Sequence, residues 1–316
     1  MKPILIGVLS SVFFAVTFIL NRSMELAGGS WLWSSSLRYF FMVPFLFIIL
    51  YMRGTLFSLL KEVMKNWQLW MFWSTVGFGL FYAPLTYAAS SGPGWLVAGT
   101  WQFTIIAGVL LTPLFREKDG NRKKVPLKNL LFSCLIFIGI IIIQLENASS
   151  AFSLEVFLKG MLPVIIAAFA YPIGNRKMME HYSNKIDTFQ RVCGMTIASM
   201  PLWITLAIIG YVEAGPPSAD QVVQSLMVAV SSGVIATVLF FFATELAKDN
   251  SSQLAAVEAT QSTQVLFVMF GEILFLSEVL PSLVTWGGIM CIIVGMLLHS
   301  LAKTPTTVIK KGVSVN

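Results

Sequence analysis

The 316-residue sequence has few charged residues and few of the residue types that build catalytic or metal centres. Asp, Glu, Lys and Arg make up 11% of the chain, against about 25% in an ordinary soluble domain. The two histidines, His181 and His299, are too far apart for an HExxH zinc site, and no Walker A loop is present. The three cysteines lie far apart within apolar runs. The sequence therefore predicts no enzyme, no resident metal, no cofactor and no disulfide framework.

Hydrophobic residues make up 56% of the chain, and they fall in runs long enough to cross a bilayer. We predict an all-α membrane protein with ten transmembrane helices. The predicted spans are residues 4–20, 34–52, 68–88, 93–115, 128–145, 157–175, 189–211, 222–246, 252–276 and 282–301. The polar segments between them are too short for an extramembrane catalytic domain, and residues 303–316 form a short basic tail.

The distribution of positive charge predicts the orientation. If both termini are cytoplasmic, most of the 21 Lys and Arg residues fall in cytoplasmic segments, above all in the loop Arg116–Lys128, as the positive-inside rule requires. The net charge of +6 then needs no nucleic-acid partner. We predict a multi-pass protein of the cell membrane whose partner is membrane lipid, and the sequence leaves homodimerisation open.

A polar tag occurs twice, as "NRSM" from Asn21 and as "NRKM" from Asn175. Each tag closes a predicted span, and an arginine follows at a similar distance, Arg38 in the first case and Arg191 in the second. We interpret the pattern as two copies of a five-helix unit, residues 1–150 and residues 151–302.

Alignment of residues 81–104 with residues 240–263 supports the duplication, because it places Gln102 on Gln261. A second copy of a unit with an odd number of spans must enter the membrane upside down, which predicts an inverted-topology repeat. Such a repeat offers two nearly equivalent arrangements, one open to each side, and this architecture is typical of transporters.

The ten spans, the basic loop and above all Ser252–Leu298, with Gly271, Glu272, Glu278 and Pro281, resemble the drug/metabolite transporter superfamily. The resemblance covers almost the whole chain and is greatest to a ten-span branch named for multidrug resistance efflux, related to the EamA-type permeases. It implies alternating access around a central cavity made by spans one to four and six to nine, with spans five and ten peripheral. It implies no particular substrate. The first copy departs from the pattern, because it lacks a proline comparable to Pro281.

Polar residues near mid-span are the candidate substrate-binding or coupling groups, because the bilayer offers them no partner. Gln102 and Gln261 correspond under the repeat, and Glu258 and Gln264 lie one turn before and after Gln261. The alternatives are hydrogen bonding between helices for the glutamines and, for Glu258, an ion pair with Lys248 or Arg191.

Aromatic residues would complete this site. We single out Tyr82, Trp101 and Tyr171, whose rings beside the Glu258 carboxylate would suit an organic cation, although packing at helix kinks is the more ordinary interpretation. Four polar residues are assigned to gating or structural charge, and these are Arg38, Arg191, Asn21 and Asn175.

We thus predict a secondary active transporter that exports small organic molecules, such as amphiphilic or cationic drugs, by alternating access. In this hypothesis Glu258 couples transport to protons, since desolvation favours its protonated form and a bound cation favours the carboxylate. Two alternatives stay open: a metabolite permease for amino acids or nucleosides, and a membrane protein that binds or regulates without transporting.

Overall fold

A computed structural model describes residues 1–115, 122, 125, 127–147, 157–182, 185–247, 257 and 259–301, without the side chains of residues 241 and 245. The described part of the chain is helical. Its α-helices, in chain order, are α1 (Lys2–Leu26), α2 (Trp31–Met52), α3 (Leu56–Lys65), α4 (Trp67–Ser74), α5 (Leu80–Ala89), α6 (Gly94–Trp101), α7 (Phe103–Leu110), α8 (Leu127–Asn147), α9 (Leu162–Tyr182), α10 (Thr188–Ala198), α11 (Met200–Ala214), α12 (Ala219–Val228), α13 (Thr237–Ala247), α14 (Gln264–Leu276) and α15 (Leu283–Leu301).

Six helical segments among the described residues are long and apolar enough to cross a membrane, and the pair α10 and α11, bent by 45°, makes a seventh if it forms one span. Gly94–Leu110 and Thr260–Leu276 are shorter apolar helices. The chain is therefore an all-helical protein with several membrane-spanning helices, and the full set of ten spans stays a prediction. The six segments are Lys2–Leu26, Trp31–Met52, Leu127–Glu146, Phe157–Tyr182, Ala219–Thr244 and Leu283–Leu301.

Local sequence encodes several of the helix ends. At the start of α10, the Asp187 carboxylate accepts a hydrogen bond from the Gln190 amide, and the Gln190 side chain accepts one from the Asp187 amide, each at 2.9 Å. This reciprocal pair is a capping box. The Ser218 hydroxyl caps α12 by accepting a bond from the Gln221 amide at 3.1 Å.

The first helix of each predicted half packs mainly against the other half. α1 contacts α12, α13 and α14, whereas α9 contacts α4, α5 and α7. The last predicted spans of the two halves, α8 and α15, form the most extensive helix pair. The buried core is therefore continuous across the two predicted halves.

Four distortions lie in the predicted third, fourth, eighth and ninth spans, and a further π-helical segment, Phe157–Met161, precedes α9. Thr75–Gly79 is a π-helical segment between α4 and α5, and Ala229–Ala236 is another between α12 and α13. The helix breaks at Gln102 between α6 and α7, and Thr260–Thr263 is a 3-10 turn before α14. Distortions of this kind inside helices are often found at functional sites.

The structure differs from the sequence-based prediction at the two tags and at one loop. Asn21 and Asn175 lie inside α1 and α9 and do not end them, because both helices continue to Leu26 and Tyr182. The segment after the second predicted span contains the helix α3, which was not predicted and which buries Leu59 against the core.

Candidate functional site

Arg38 lies in the interior of the molecule although it carries a charge. Its side chain projects from α2, is 8% exposed, and places its guanidinium carbon 4.1 Å from the centre of the Tyr82 ring and 5.9 Å from that of Tyr39. A desolvated cation–π contact contributes about 2 kcal/mol, which offsets only part of the several kcal/mol that desolvating a charge costs.

Tyr82 joins Arg38 to the first polar tag. Its hydroxyl lies 3.3 Å from both the amide nitrogen and the amide oxygen of Asn21, and both side chains are buried. The Asn21 amide can therefore accept from this hydroxyl or donate to it, which holds the Tyr82 ring in place under the guanidinium.

A group of three rings contacts Tyr82 through Phe81, whose ring centre is 5.9 Å from that of Tyr82. Phe81, Trp101 and Tyr171 are in mutual contact, with ring centres 5.0 Å apart for Phe81 and Trp101, 4.8 Å for Phe81 and Tyr171, and 5.7 Å for Trp101 and Tyr171. These three residues, which we term the aromatic triad, come from α5, α6 and α9. Trp101 and Tyr171, two of the aromatic residues predicted from the sequence, are thus in contact, and Phe81 connects them to the third, Tyr82.

Tyr171 is 38% exposed although it lies on the side of α9 that carries buried residues. Another side of α9 carries Ile166, which is 43% exposed. Five residues along a helix correspond to a rotation of about 140°, so Tyr171 points away from that side and toward the face that carries the buried Ala167 and Met178. We infer that Tyr171 borders a crevice between helices.

Arg191 provides a second positive charge near this crevice. It lies on α10, is partly exposed, and acts electrostatically on the Tyr171 hydroxyl, as Arg38 also does. Tyr171 is therefore within electrostatic range of one arginine from each predicted half of the chain.

The predicted glutamines lie at the helix distortions. Gln102 is buried at the break between α6 and α7 and donates to the Ala98 carbonyl oxygen at 3.1 Å. Gln261 is in the 3-10 turn before α14, and its buried side-chain nitrogen has no hydrogen-bond acceptor among the described residues. Gln264 is buried at the start of α14. Neither Gln102 nor Gln264 is exposed enough to form the wall of an open cavity.

Two of the remaining predicted residues add little to the geometry. Glu258 lies outside the described residues. Asn175 donates to the Tyr171 carbonyl oxygen at 2.9 Å, one turn earlier on α9, so its side chain serves its own helix. Among the described residues no group of three His, Cys, Asp or Glu side chains could hold a metal ion.

Glu272 is a functional candidate that the sequence indicated only as part of a motif. It is fully buried, and its carboxylate oxygens accept hydrogen bonds from the Gly94 amide at 2.7 Å and from the Trp95 amide at 3.0 Å. These are the first two amides of α6, which have no acceptor within the helix. A carboxylate at this position is also favoured by the helix dipole.

An ion pair lies close to this cap. The guanidinium of Arg22, in the first tag, lies 3.3 Å from the carboxylate of Glu278. Glu278 follows the end of α14. Together the two contacts join α1, α6 and α14 at the end of the bundle that the charge distribution predicts to be extracellular.

The remaining unpredicted partners are contacts distant in sequence. The Tyr39 ring stacks on Trp203, with ring centres 4.2 Å apart and planes 9° apart, and so supports the residue next to Arg38. Phe81 is the centre of the aromatic triad. Because the sequence is apolar and rich in aromatic residues, no sequence pattern distinguishes these three residues from the other aromatic residues.

A family model described as "Putative multidrug resistance efflux transporter" (EmrE) matches residues 1–305. The Bacillus subtilis protein YjlA, described as uncharacterized, is 58% identical over 321 residues, which cover 99% of each chain. A Shouchella clausii protein, described as an uncharacterized 42.1 kDa protein, is 50% identical over 266 residues, which cover 83% of this chain and 70% of that one.

A solved crystal structure has the same fold. It superposes with a TM-score of 0.64 over 95% of this chain and 96% of its own, at 13% sequence identity. At this identity the likeness concerns the fold alone.

Proposed function

Because the chain belongs to the EmrE family of multidrug resistance efflux transporters, we propose that it is a secondary active transporter of small organic molecules. In this proposal the chain crosses the cell membrane ten times with both termini in the cytoplasm. Residues 1–150 and 151–302 form two inverted repeats that rock about the crevice at Tyr171 and open it to one side at a time.

The observation that carries this proposal is the reciprocal packing of the two halves. α1 packs against the helices that follow in the second half, and α9 packs against their counterparts in the first half. The same reciprocity extends to single hydrogen bonds: Ser11 on α1 donates to the Thr260 carbonyl oxygen at 2.7 Å, and Thr104 on α7 donates to the Ala168 carbonyl oxygen on α9 at 3.1 Å.

The helix distortions support the same relation. Gln102 and Gln261, which correspond in the sequence alignment, both lie where a helix tightens or breaks. Two of the three described π-helical segments also fall in corresponding helices, after α4 and after α12. Paired discontinuous helices near the middle of the membrane are typical of transporters with inverted repeats.

Alternating access requires contacts that break when one end opens. The Glu272 cap on α6 and the Arg22–Glu278 ion pair are such contacts at the predicted extracellular end. Both join a helix of one half to a helix of the other half. We propose that they hold this end closed and are released when the crevice opens outward.

Counterflow in proteoliposomes tests the transport proposal. The purified chain is reconstituted, the vesicles are loaded with one unlabelled solute, and uptake of the same labelled solute is followed. Tetraphenylphosphonium, leucine and uridine represent cationic drugs, amino acids and nucleosides. We expect preloading to accelerate uptake of at least one class above that of protein-free vesicles. Binding without exchange for every solute would contradict transport and favour a membrane protein that only binds.

A further inference from the structure

Arg38 has no acidic partner in the part of the chain that the structure describes. The described ion pairs join Arg22 to Glu278, Arg53 to Asp187 and Lys177 to Glu180. The Arg38 Nε atom is buried and has no hydrogen-bond acceptor among the residues that the structure describes. A guanidinium that is more than nine-tenths buried, with an unused donor, needs an acceptor that the described residues do not supply.

The rings below Arg38 leave its hydrogen-bonding capacity free. Tyr82 and Tyr39 contact the guanidinium through the faces of their rings, and the Tyr82 hydroxyl contacts Asn21. A cation–π contact uses the charge of an arginine but not its N–H groups. The planar fork of donors matches the two oxygens of a carboxylate, which it can bind with two parallel hydrogen bonds.

The described charged groups near the Tyr171 crevice are positive, as Arg38 is. Among the described residues, Arg191 and Arg38 are the charged groups within electrostatic range of Tyr171, and both are positive. No carboxylate of a described residue forms an ion pair with either of them. The described surroundings of the crevice would therefore attract an anion and repel a cation.

An apolar surface lies beside this positive region. Phe81 contacts Tyr82, with ring centres 5.9 Å apart, so the aromatic triad begins one ring away from the Arg38 guanidinium. Trp101 is partly buried and Tyr171 is partly exposed at the crevice. A ligand with a carboxylate at Arg38 would place an adjoining planar apolar group against these rings.

We propose that the substrate is a small organic acid that carries a carboxylate next to an apolar or aromatic group. Arg38 binds the carboxylate, Arg191 adds to the positive potential, and the aromatic triad binds the apolar group. This assignment rests on the proposed transport function and replaces the cationic substrate that the sequence suggested.

Binding of three matched probes tests the substrate class. Phenylacetate, its neutral amide phenylacetamide and the phenethylammonium cation share a ring and differ in charge. Thermal-shift titration of the purified full chain yields an apparent Kd for each probe. We expect phenylacetate to bind the wild-type chain and to bind Arg38→Gln at least about tenfold more weakly, whereas the amide and the cation bind weakly to both.

Two further variants keep this test interpretable. Arg53→Gln removes an arginine outside the crevice and is expected to bind phenylacetate as the wild type does. If Arg38→Gln does not fold, Arg38→Lys serves instead, because lysine keeps the charge and lacks the planar fork. Equal phenylacetate binding by the wild type and by the Arg38 variant that folds would overturn the assignment, and so would the absence of phenylacetate binding.

Counterflow measurements with the same probes distinguish the organic-acid assignment from the transport function on which it rests. Tetraphenylphosphonium counterflow without phenylacetate binding would overturn the organic-acid assignment and leave the transport proposal standing. Arg38-dependent phenylacetate binding without counterflow of any solute would support the binding site and contradict transport. Counterflow of phenylacetate above the leak of protein-free vesicles, lost in Arg38→Gln, would support both.

Discussion

The carboxylate of Glu272 on α14 accepts a hydrogen bond of 2.7 Å from the amide of Gly94, the first residue of α6. The two residues belong to different predicted halves and are 178 positions apart in the chain. A side chain on Gly94 would clash with this carboxylate, since an added Cβ would lie 2.5 Å from Oε1. Gly94 and Glu272 thus form a fitted contact between the halves.

Glu272→Gln is expected to destabilise the protein, because the amide keeps one acceptor oxygen and places its NH2 group beside a backbone donor. Hydrogen bonds to charged groups contribute about 1.5 to 3 kcal/mol each, so we expect a clear decrease in the melting temperature. Glu278→Gln is the matched control: its ion pair with Arg22 is partly exposed, and such pairs contribute about 0 to 1 kcal/mol. Differential scanning fluorimetry in detergent measures both, and an equal or larger effect of Glu278→Gln would contradict the assigned role of the cap.

Gly174→Ala is expected to disturb the contact between α9 and the π-helical segment after α4. A Cβ at Gly174 would overlap the Gly77 backbone and would lie 2.8 Å from the Trp73 carbonyl oxygen. Overpacking of this kind costs about 1 to 3 kcal/mol. Gly287→Ala on α15 is the control, since nothing lies within 4 Å of its added Cβ. Melting temperatures of the two variants should differ, and similar values would show that the halves tolerate a wider spacing.

The predicted orientation can be tested at Gly120, which lies outside the described residues in the basic loop Arg116–Lys128. In a variant whose native cysteines are replaced, Gly120→Cys should resist a membrane-impermeant thiol reagent added to intact cells, because the positive-inside rule places this loop in the cytoplasm. The cysteine should react once the cells are permeabilised. Rapid labelling of intact cells would reverse the orientation of the whole chain.

Proton coupling through Glu258 stays a prediction from the sequence, since this residue lies outside the described residues. Glu258→Gln keeps the shape of a protonated carboxyl group and cannot release a proton. We expect the variant to insert and fold but to lose uptake driven by an imposed pH difference. Accumulation of substrate by the variant against its gradient would show that Glu258 is structural, and Glu272 or Glu245 would then be the next candidate.

The sequence predicted those features that depend on composition and on internal similarity. The apolar runs predicted a helical membrane protein, and alignment of the halves identified Gln102 and Gln261, where the helices break. The amphipathic helix α3 had a local signal that was missed, because Leu56 and Leu59 recur at helical spacing and are buried.

Other features could not be predicted because they depend on contacts between distant residues. The sequence around Glu272 does not indicate that its carboxylate oxygens accept hydrogen bonds from the first two amides of α6. Nor does the sequence around Arg38 indicate that its guanidinium lies over the Tyr82 ring. Arg38 could equally have been an interfacial anchor, and only the tertiary arrangement places it in the interior.

Reversible cross-linking of Arg22→Cys to Glu278→Cys tests alternating access most directly. Cys134, Cys193 and Cys291 are first replaced by alanine so that only the two introduced thiols react. A bifunctional methanethiosulfonate reagent then joins α1 to the segment after α14, where the native side chains are 3.3 Å apart. If the predicted extracellular end must open in each cycle, counterflow should stop on cross-linking and return on reduction, while each single-cysteine variant continues to exchange. Full counterflow by the cross-linked protein would contradict the account.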